Sequence, residues 1–285
     1  MSQTKIEWTD YSWNVVTGCT PVSEGCENCY AKRMATRLRG RCGYPEDEPF
    51  RVTMRPDRLS EPLSWKKPRR VFVCSMGDLF HDDVEGGFLC RVFDTIMAAE
   101  QHTFLVLTKR PKRMIDFFKQ CIHRTLSNLW VGVTVENQSA ADERIPILLQ
   151  IPAVVRFVSC EPLLGPVDVY KYLDVYDPPT LTNPDGYNPD KQLIDWVICG
   201  GETGPRARPM HPDWVRSLRD QCQAAGVPFF FKSWGEWHES DLQPNPRGWR
   251  TYLWSDGKLM YRMGRKKAGR LLDGQEWNEY PKQYG

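Results

Sequence analysis

The chain has 285 residues, 41% of them hydrophobic and 26% charged, with a formal net charge of +2. That much apolar sequence excludes a disordered chain, and a charge so near neutral gives no overall field for a polyanion or a membrane surface. The opening MSQTKIEWTD is polar and no apolar run reaches membrane-spanning length, so a cytoplasmic protein without a membrane segment is expected; there, ten cysteines suit metal ligation or burial better than a disulfide framework.

Seven apolar runs are read as strands, each closing on polar residues. In chain order they are SWNVVTGC at 12–19, RRVFVCSMGDLF at 69–80, TFLVLTKRP at 103–111 and LWVGVTVENQ at 129–138. VVRFVSCEPLLG at 154–165, DWVICGGETGP at 195–205 and VPFFFKSWGEW at 227–237 complete the set. Runs without alternation suit parallel strands buried on both faces. Amphipathic helices are expected at 29–39, 86–100, 111–120, 139–150 and 212–225. Strand and helix in alternation predict an α/β fold, a full or partial (β/α) barrel spanning 1–237 with a small C-terminal extension over 238–285. The Pro-, Asp- and Asn-rich stretch 169–193 is read as a long loop, and WRTYLWSDGKLMYRMG as a hairpin about Ser-Asp-Gly.

The carboxyl ends of barrel strands build the active site. Here they hold Asp78, Thr108, Lys109, Arg110, Thr134, Glu136, Ser159, Glu161, Gly200, Gly201, Glu202 and Lys232. Acids or a lysine recurring at nearly every strand end favour a convergent polar site over simple solvation. The glycines of SMGD and CGGETG let a ligand approach the backbone, beside a carboxylate suited to ribose hydroxyls or an ammonium group. Cys74, Cys160 and Cys199, in or at the ends of strands, are read as buried small residues, and His211 as a residue of a helix cap.

Cys19, Cys26 and Cys29 form a denser constellation. Cys26 and Cys29 have C-x-x-C spacing, and Pro21 and Gly25 let the intervening loop bring Cys19 beside them. Thiolates bind zinc and iron–sulfur clusters alike, so spacing leaves the metal open. A structural zinc site takes four ligands, and Cys42 or His81 could supply the fourth.

The motifs TGCTPVSEGCENCYA, SMGDLF, LTKRP, EPLLG, GGETG, FFFKSWGEW and AGRLLDGQEW, spread over nearly the whole chain, resemble the radical S-adenosylmethionine (SAM) superfamily, and within it a phage-associated three-cysteine-motif family. The superfamily's usual spacing is C-x3-C-x2-C; here six residues separate Cys19 from Cys26, and Tyr30 follows the last cysteine where an aromatic residue normally precedes it. The resemblance implies that Cys19, Cys26 and Cys29 hold a 4Fe-4S cluster whose fourth iron binds SAM. Reductive cleavage of SAM then yields a 5'-deoxyadenosyl radical that abstracts hydrogen from a substrate. It further implies Met76, Gly77 and Asp78 beside the methionine ammonium and Gly200, Gly201 and Glu202 along the adenosine. Thr108, Glu136, Glu161 and Lys232 join the cofactor-binding set, and a flavodoxin- or ferredoxin-like protein donates the electron.

The C-terminal extension mixes Arg262, Arg265, Lys266, Lys267 and Arg270 with Tyr252, Trp254 and Tyr261. Such cations can neutralise phosphates and such rings can stack on bases, and the phage association that the resemblance implies makes a nucleotide or nucleic acid the expected substrate class. The same residues equally suit a solvated hairpin with its rings packed inward. The alternative from another class is a zinc-stabilised nucleic-acid-binding protein without redox chemistry.

Overall fold

The computed structural model describes residue 4 and residues 6–174, 188, 191–239 and 247–282. The chain forms two compact units, one of residues 1–134 with 146–157, the other of 135–145 with 158–285. The loop expected over 169–193 falls mostly outside the described residues; its start, Tyr170–Tyr172, is one 3-10 turn.

The first unit contains β1 (Tyr11–Trp13), β2 (Val16–Thr17), α1 (Tyr30–Arg37), β3 (Thr53–Met54), β4 (Arg70–Val73), α2 (Gly86–Ala98), β5 (Thr103–Thr108), α3 (Pro111–Cys121) and β6 (Leu129–Thr134). α4 (Gln138–Leu148) and β7 (Val155–Cys160) each have residues in both units. The second unit continues with β8 (Trp196–Gly200), α5 (Pro212–Ala225), β9 (Phe229–Ser233), β10 (Trp237–Glu239), β11 (Thr251–Leu253), β12 (Leu259–Arg262) and α6 (Arg265–Ala268). One seven-stranded parallel sheet has the order β1-β4-β5-β6-β7-β8-β9, the topology of a partial (β/α) barrel. From β4 to β7 a helix separates each strand from the next, as parallel neighbours require.

Every residue of β6 and of β8 is buried, which is what their unbroken apolar runs require. α2 buries Phe88, Leu89, Val92, Phe93 and Ile96, one face at helical spacing. Phe93 meets Phe117 and Phe118 of α3 at 4.8 and 5.6 Å between ring centroids, so an aromatic seam joins the two helices. α3 starts on Pro111, whose missing N–H and fixed φ suit the first helical position.

The run 12–19 differs from expectation. It is two short strands, β1 parallel to β4 and β2 antiparallel to β3. Asn14 divides them: its Oδ1 accepts from Met76 N–H at 2.9 Å and Ser75 Oγ–H at 3.2 Å, anchoring the chain away from the ladder. Two-residue strands carry no periodicity, and β3 leaves no trace in the sequence.

His102 lies at the start of β5, buried, with Nε2–H donating to Pro62 O at 3.1 Å. Burial first, then the charge of Arg69, lowers its pKa, so the folded chain refuses a proton that the unfolded chain takes up. Protein stability is therefore expected to fall as pH drops below about 6.5, the ordinary histidine value, and His102→Gln should flatten that slope. Urea midpoints recorded from pH 7.5 to 5.5 check this; an unchanged slope in the variant would contradict it.

In the second unit, His211 caps α5 by accepting from Asp213 N–H at 3.1 Å, and Gly226 ends the helix in the left-handed conformation. The expected hairpin is present as β11 and β12, which with β10 make a small antiparallel sheet. Two of its rings pack inward, while Tyr252 is exposed. Tyr261 is buried, and Trp254 lies 5.0 Å from His211 and 5.1 Å from Trp214 between ring centroids. The last segment runs along β9: Phe231 N–H donates to Trp277 O at 2.9 Å, Glu279 N–H to Phe229 O at 3.2 Å, and Phe230 bridges Asn278 antiparallel.

Candidate metal centre

The first unit presents the three cysteines on a single loop. Gly18, at φ +88°, follows β2 and donates its N–H to Met76 O at 2.9 Å; Cys19 N–H then donates to Phe50 O at 3.2 Å. A 3-10 turn at Glu24–Cys26 reverses the chain, Cys29 N–H donates to Cys26 O at 3.3 Å, and Cys29 caps α1. The positive end of the α1 dipole thus lies at Cys29. All three thiols are free and partly exposed.

Gly77 completes the seat of this loop. It pairs with Gly18 in a parallel bridge, and a Cβ on it would stand 2.8 Å from Gly18 O and 3.0 Å from Val16 O. The glycine of SMGD is needed for this close backbone approach. Met76 is held at both ends, its carbonyl by Gly18 and its N–H by Asn14.

Asp78 is buried beneath the loop. Its Oδ1 accepts from Thr108 Oγ–H at 2.7 Å and Phe80 N–H at 3.0 Å; its Oδ2 accepts from Lys109 N–H and Arg110 Nη1, both at 3.2 Å. Those four donors fill the carboxylate's lone-pair sites. Arg110 turns to the cysteine loop. Nη1 also donates to Cys19 Sγ at 3.3 Å, and Nη2 donates to Thr20 O and Oγ1, both at 3.0 Å. Burial pushes the Cys19 thiol up to about 11, with the Asp78 charge adding and Arg110 opposing. A metal bound there would displace that proton.

His81 does not close the site. Its Nδ1 accepts from Asp83 N–H at 3.1 Å, so Nε2 carries the proton and donates to Thr20 Oγ1 at 2.8 Å. Burial, then the nearby Arg110 charge, lowers its pKa and keeps the ring neutral, with its lone pair already engaged. Cys42, the other sequence candidate, is exposed. Among the described residues, the trio of ligand atoms lying within 4.8 Å of one another is His211, Asp213 and Asp256. Thiolates on one tetrahedral zinc, about 2.3 Å from the metal, stand about 3.8 Å apart. A cluster gives each thiolate its own iron. The His211 trio is a helix cap: one ring nitrogen serves Asp213 N–H, and the other pairs with Asp256 at 3.0 Å.

Thr134, at the end of β6, belongs to the first unit; the second holds the other remaining strand-end residues, and each acid there has its own cation. Glu136 pairs with Arg144 at 2.8 Å, both buried; Glu161 pairs with Lys232. Glu202 takes Arg208 through Nη2 at 2.7 Å and Nε at 3.0 Å, and accepts Arg208 N–H at 2.8 Å. Gly201 lies against the backbone of Trp234, whose carbonyl a Cβ would overlap, whereas a Cβ on Gly200 would meet nothing closer than 3.4 Å. Cys160 and Cys199 are buried in this unit and Cys74 in the first, and burial raises all three thiols.

Sequence reasoning gave Arg110 a place at a strand end but no role, and passed over Asn14, Arg144 and Arg208. Their partners lie 6 to 91 residues away, beyond any local pattern. LTKRP carried the one available signal, an arginine just ahead of a helix-starting proline.

No helix among the described residues is long and apolar enough to cross a membrane. No curated protein sequence matches the chain. Solved structures of spore photoproduct lyase are similar to it. One, complexed with dinucleoside spore photoproduct, is 11% identical with TM-score 0.49 and covers 96% of this chain and 74% of that one. Another, a double mutant with bound AdoMet and dinucleoside spore photoproduct, is 11% identical with TM-score 0.48 and the same coverage. The family model described as "Protein of unknown function (DUF5131)" matches residues 3–281, and the chain belongs to that family.

Proposed function

We propose that the chain is a radical SAM enzyme in which Cys19, Cys26 and Cys29 hold a 4Fe-4S cluster and SAM takes the position left without a protein ligand. The observation that carries this reading is the three-thiol loop itself: Cys19, Cys26 and Cys29 are free and partly exposed, Gly77 is bridged to Gly18 beside them, and His81 is already engaged at both ring nitrogens. When bound and reduced, the cluster with SAM supplies a 5'-deoxyadenosyl radical for hydrogen abstraction. The protein's own residues seat and polarise the loop. Gly18 and Gly77 bring two backbones together, Asn14 and Met76 tie them, and Asp78 and Thr108 orient Arg110.

The Met76–Gly77 turn is proposed for the methionine end of SAM, with Asp78 acting there through the groups it already holds. Glu136, Glu161, Gly200, Gly201, Glu202 and Lys232 stay proposed as cofactor or substrate contacts of the second unit, Gly200 being the most open. The electron is proposed to come from a flavodoxin- or ferredoxin-like donor. For the substrate we propose a nucleotide or nucleic acid, supported by the exposed Arg265, Lys266 and Lys267 of α6 and by Trp249, which lies between Arg247 and Lys267 at 5.5 and 5.6 Å.

Anaerobic reconstitution is expected to give about four irons per chain and, after reduction, an EPR signal that SAM perturbs; Cys26→Ala should abolish both. Stoichiometric zinc with no cluster would replace this reading with the zinc-stabilised one. The same preparation is expected to bind single-stranded oligonucleotides with an affinity that falls as salt rises. Absence of binding at low salt would remove the nucleic-acid substrate.

A further inference from the structure

Arg110 is committed to the cysteine loop in a way that ordinary ion pairing does not require. The two Nη1 hydrogens go to Cys19 Sγ and Asp78 Oδ2, and the two Nη2 hydrogens to Thr20 O and Oγ1. A planar guanidinium can serve four acceptors in one plane; a lysine ammonium cannot. The Asp78–Arg110 pair is shielded from water, with side chains 8% and 10% exposed, so solvent screens it weakly. The three sulfurs are treated unequally. Cys19 receives a charged N–H donor at 3.3 Å, whereas Cys26 has the Ser23 hydroxyl at 3.9 Å.

We infer that Arg110 is a positioning residue that sets the reduction potential at the three-cysteine loop, through its N–H···Sγ bond to Cys19, and that Asp78 acts by holding Arg110 in place. The inference rests on the cluster reading above. Uptake of one electron from an external low-potential donor makes the thiolate-bound centre more negative. A hydrogen bond to sulfur from a fixed cation stabilises that state and raises the potential. Asp78 offsets part of the charge but leaves the hydrogen bond intact, because Nη1 has a separate hydrogen for each acceptor. Thr20 matters for the same reason: its carbonyl and hydroxyl hold Nη2, so the guanidinium cannot swing off the sulfur without losing two further bonds.

The test uses reconstituted full-length protein without SAM, titrated with dithionite as one-electron donor through redox mediators and followed by EPR, with iron content measured in parallel. Arg110→Gln is expected to shift the reduction equilibrium at least tenfold toward the oxidised form, which for a one-electron couple is about 59 mV more negative. Arg110→Lys, which keeps the charge and loses the fork, should shift the same way by less. Arg124→Gln removes an exposed charge beyond the end of α3 and should leave the potential at the wild-type value. If Arg110→Gln cannot hold iron, the Lys variant decides. Wild-type potentials in every Arg110 variant that retains full iron would overturn the inference. Failure of the wild-type chain itself to assemble a cluster would instead overturn the reading on which it rests.

Discussion

Arg144→Met is expected to destabilise the protein by about 3–5 kcal/mol, the usual result of stranding one member of a buried ion pair. Glu136 and Arg144 are 1% and 5% exposed in their side chains and 2.8 Å apart. Neither charge reaches water, so the carboxylate left behind loses its cation and gains no hydration. The double variant Glu136→Leu/Arg144→Met should recover most of the loss, since the cost lies in the unpaired charge more than in the missing attraction. The Glu136 carbonyl, which accepts Leu164 N–H at 2.8 Å, is untouched by either change. Urea denaturation of the three variants measures the cycle. A double variant no more stable than Arg144→Met would show that the pair's worth is packing and not charge.

Gly18→Ala should cost more than about 4 kcal/mol, in the range reserved for changes that force a backbone to move. Two penalties coincide there. The residue sits at φ +88°, where a side chain is strained, and its Cβ would overlap the carbonyls of Arg51 and Phe50. Both are main-chain atoms and cannot rotate away. Gly226→Ala isolates the first penalty: at φ +67° with open space around it, that change should cost only about 1–2 kcal/mol. Because Gly18 N–H holds Met76 O and Cys19 comes next, the Gly18 variant should also fail to take up iron under conditions where the Gly226 variant loads normally. Equal destabilisation by the two substitutions would rule out the steric argument.

What the sequence made legible follows from how local each signal is. The unbroken apolar runs of β6 and β8 announce burial on both faces because a parallel strand has no solvent side. α5 could be bounded from Pro212 and Gly226, each suited to its end of a helix. The three cysteines were visible as a constellation because loop and helix start fall within eleven residues. By contrast, β2 and β3 have two residues each and no period to read. The strand-end acids were visible as charges, but their partners were not. Lys232 lies 71 residues from Glu161, and Arg110 lies 91 residues from Cys19. Composition shows that charges recur at strand ends; only the fold shows that Asp78, Glu136, Glu161 and Glu202 each have a cation beside them.

The segment 277–280 lies along β9, the last strand of the parallel sheet, and takes up the hydrogen-bonding groups that an edge strand would otherwise present. Trp196 reinforces it, donating Nε1–H to Glu279 O at 2.9 Å and lying 5.3 Å from Tyr280 between ring centroids. An uncovered parallel edge with Phe229, Phe230 and Phe231 in sequence is a template for pairing with another chain. The C-terminal strap therefore acts as a guard against self-association. A chain stopped before Trp277 would trade a capped sheet for a sticky one, with its cysteine loop untouched.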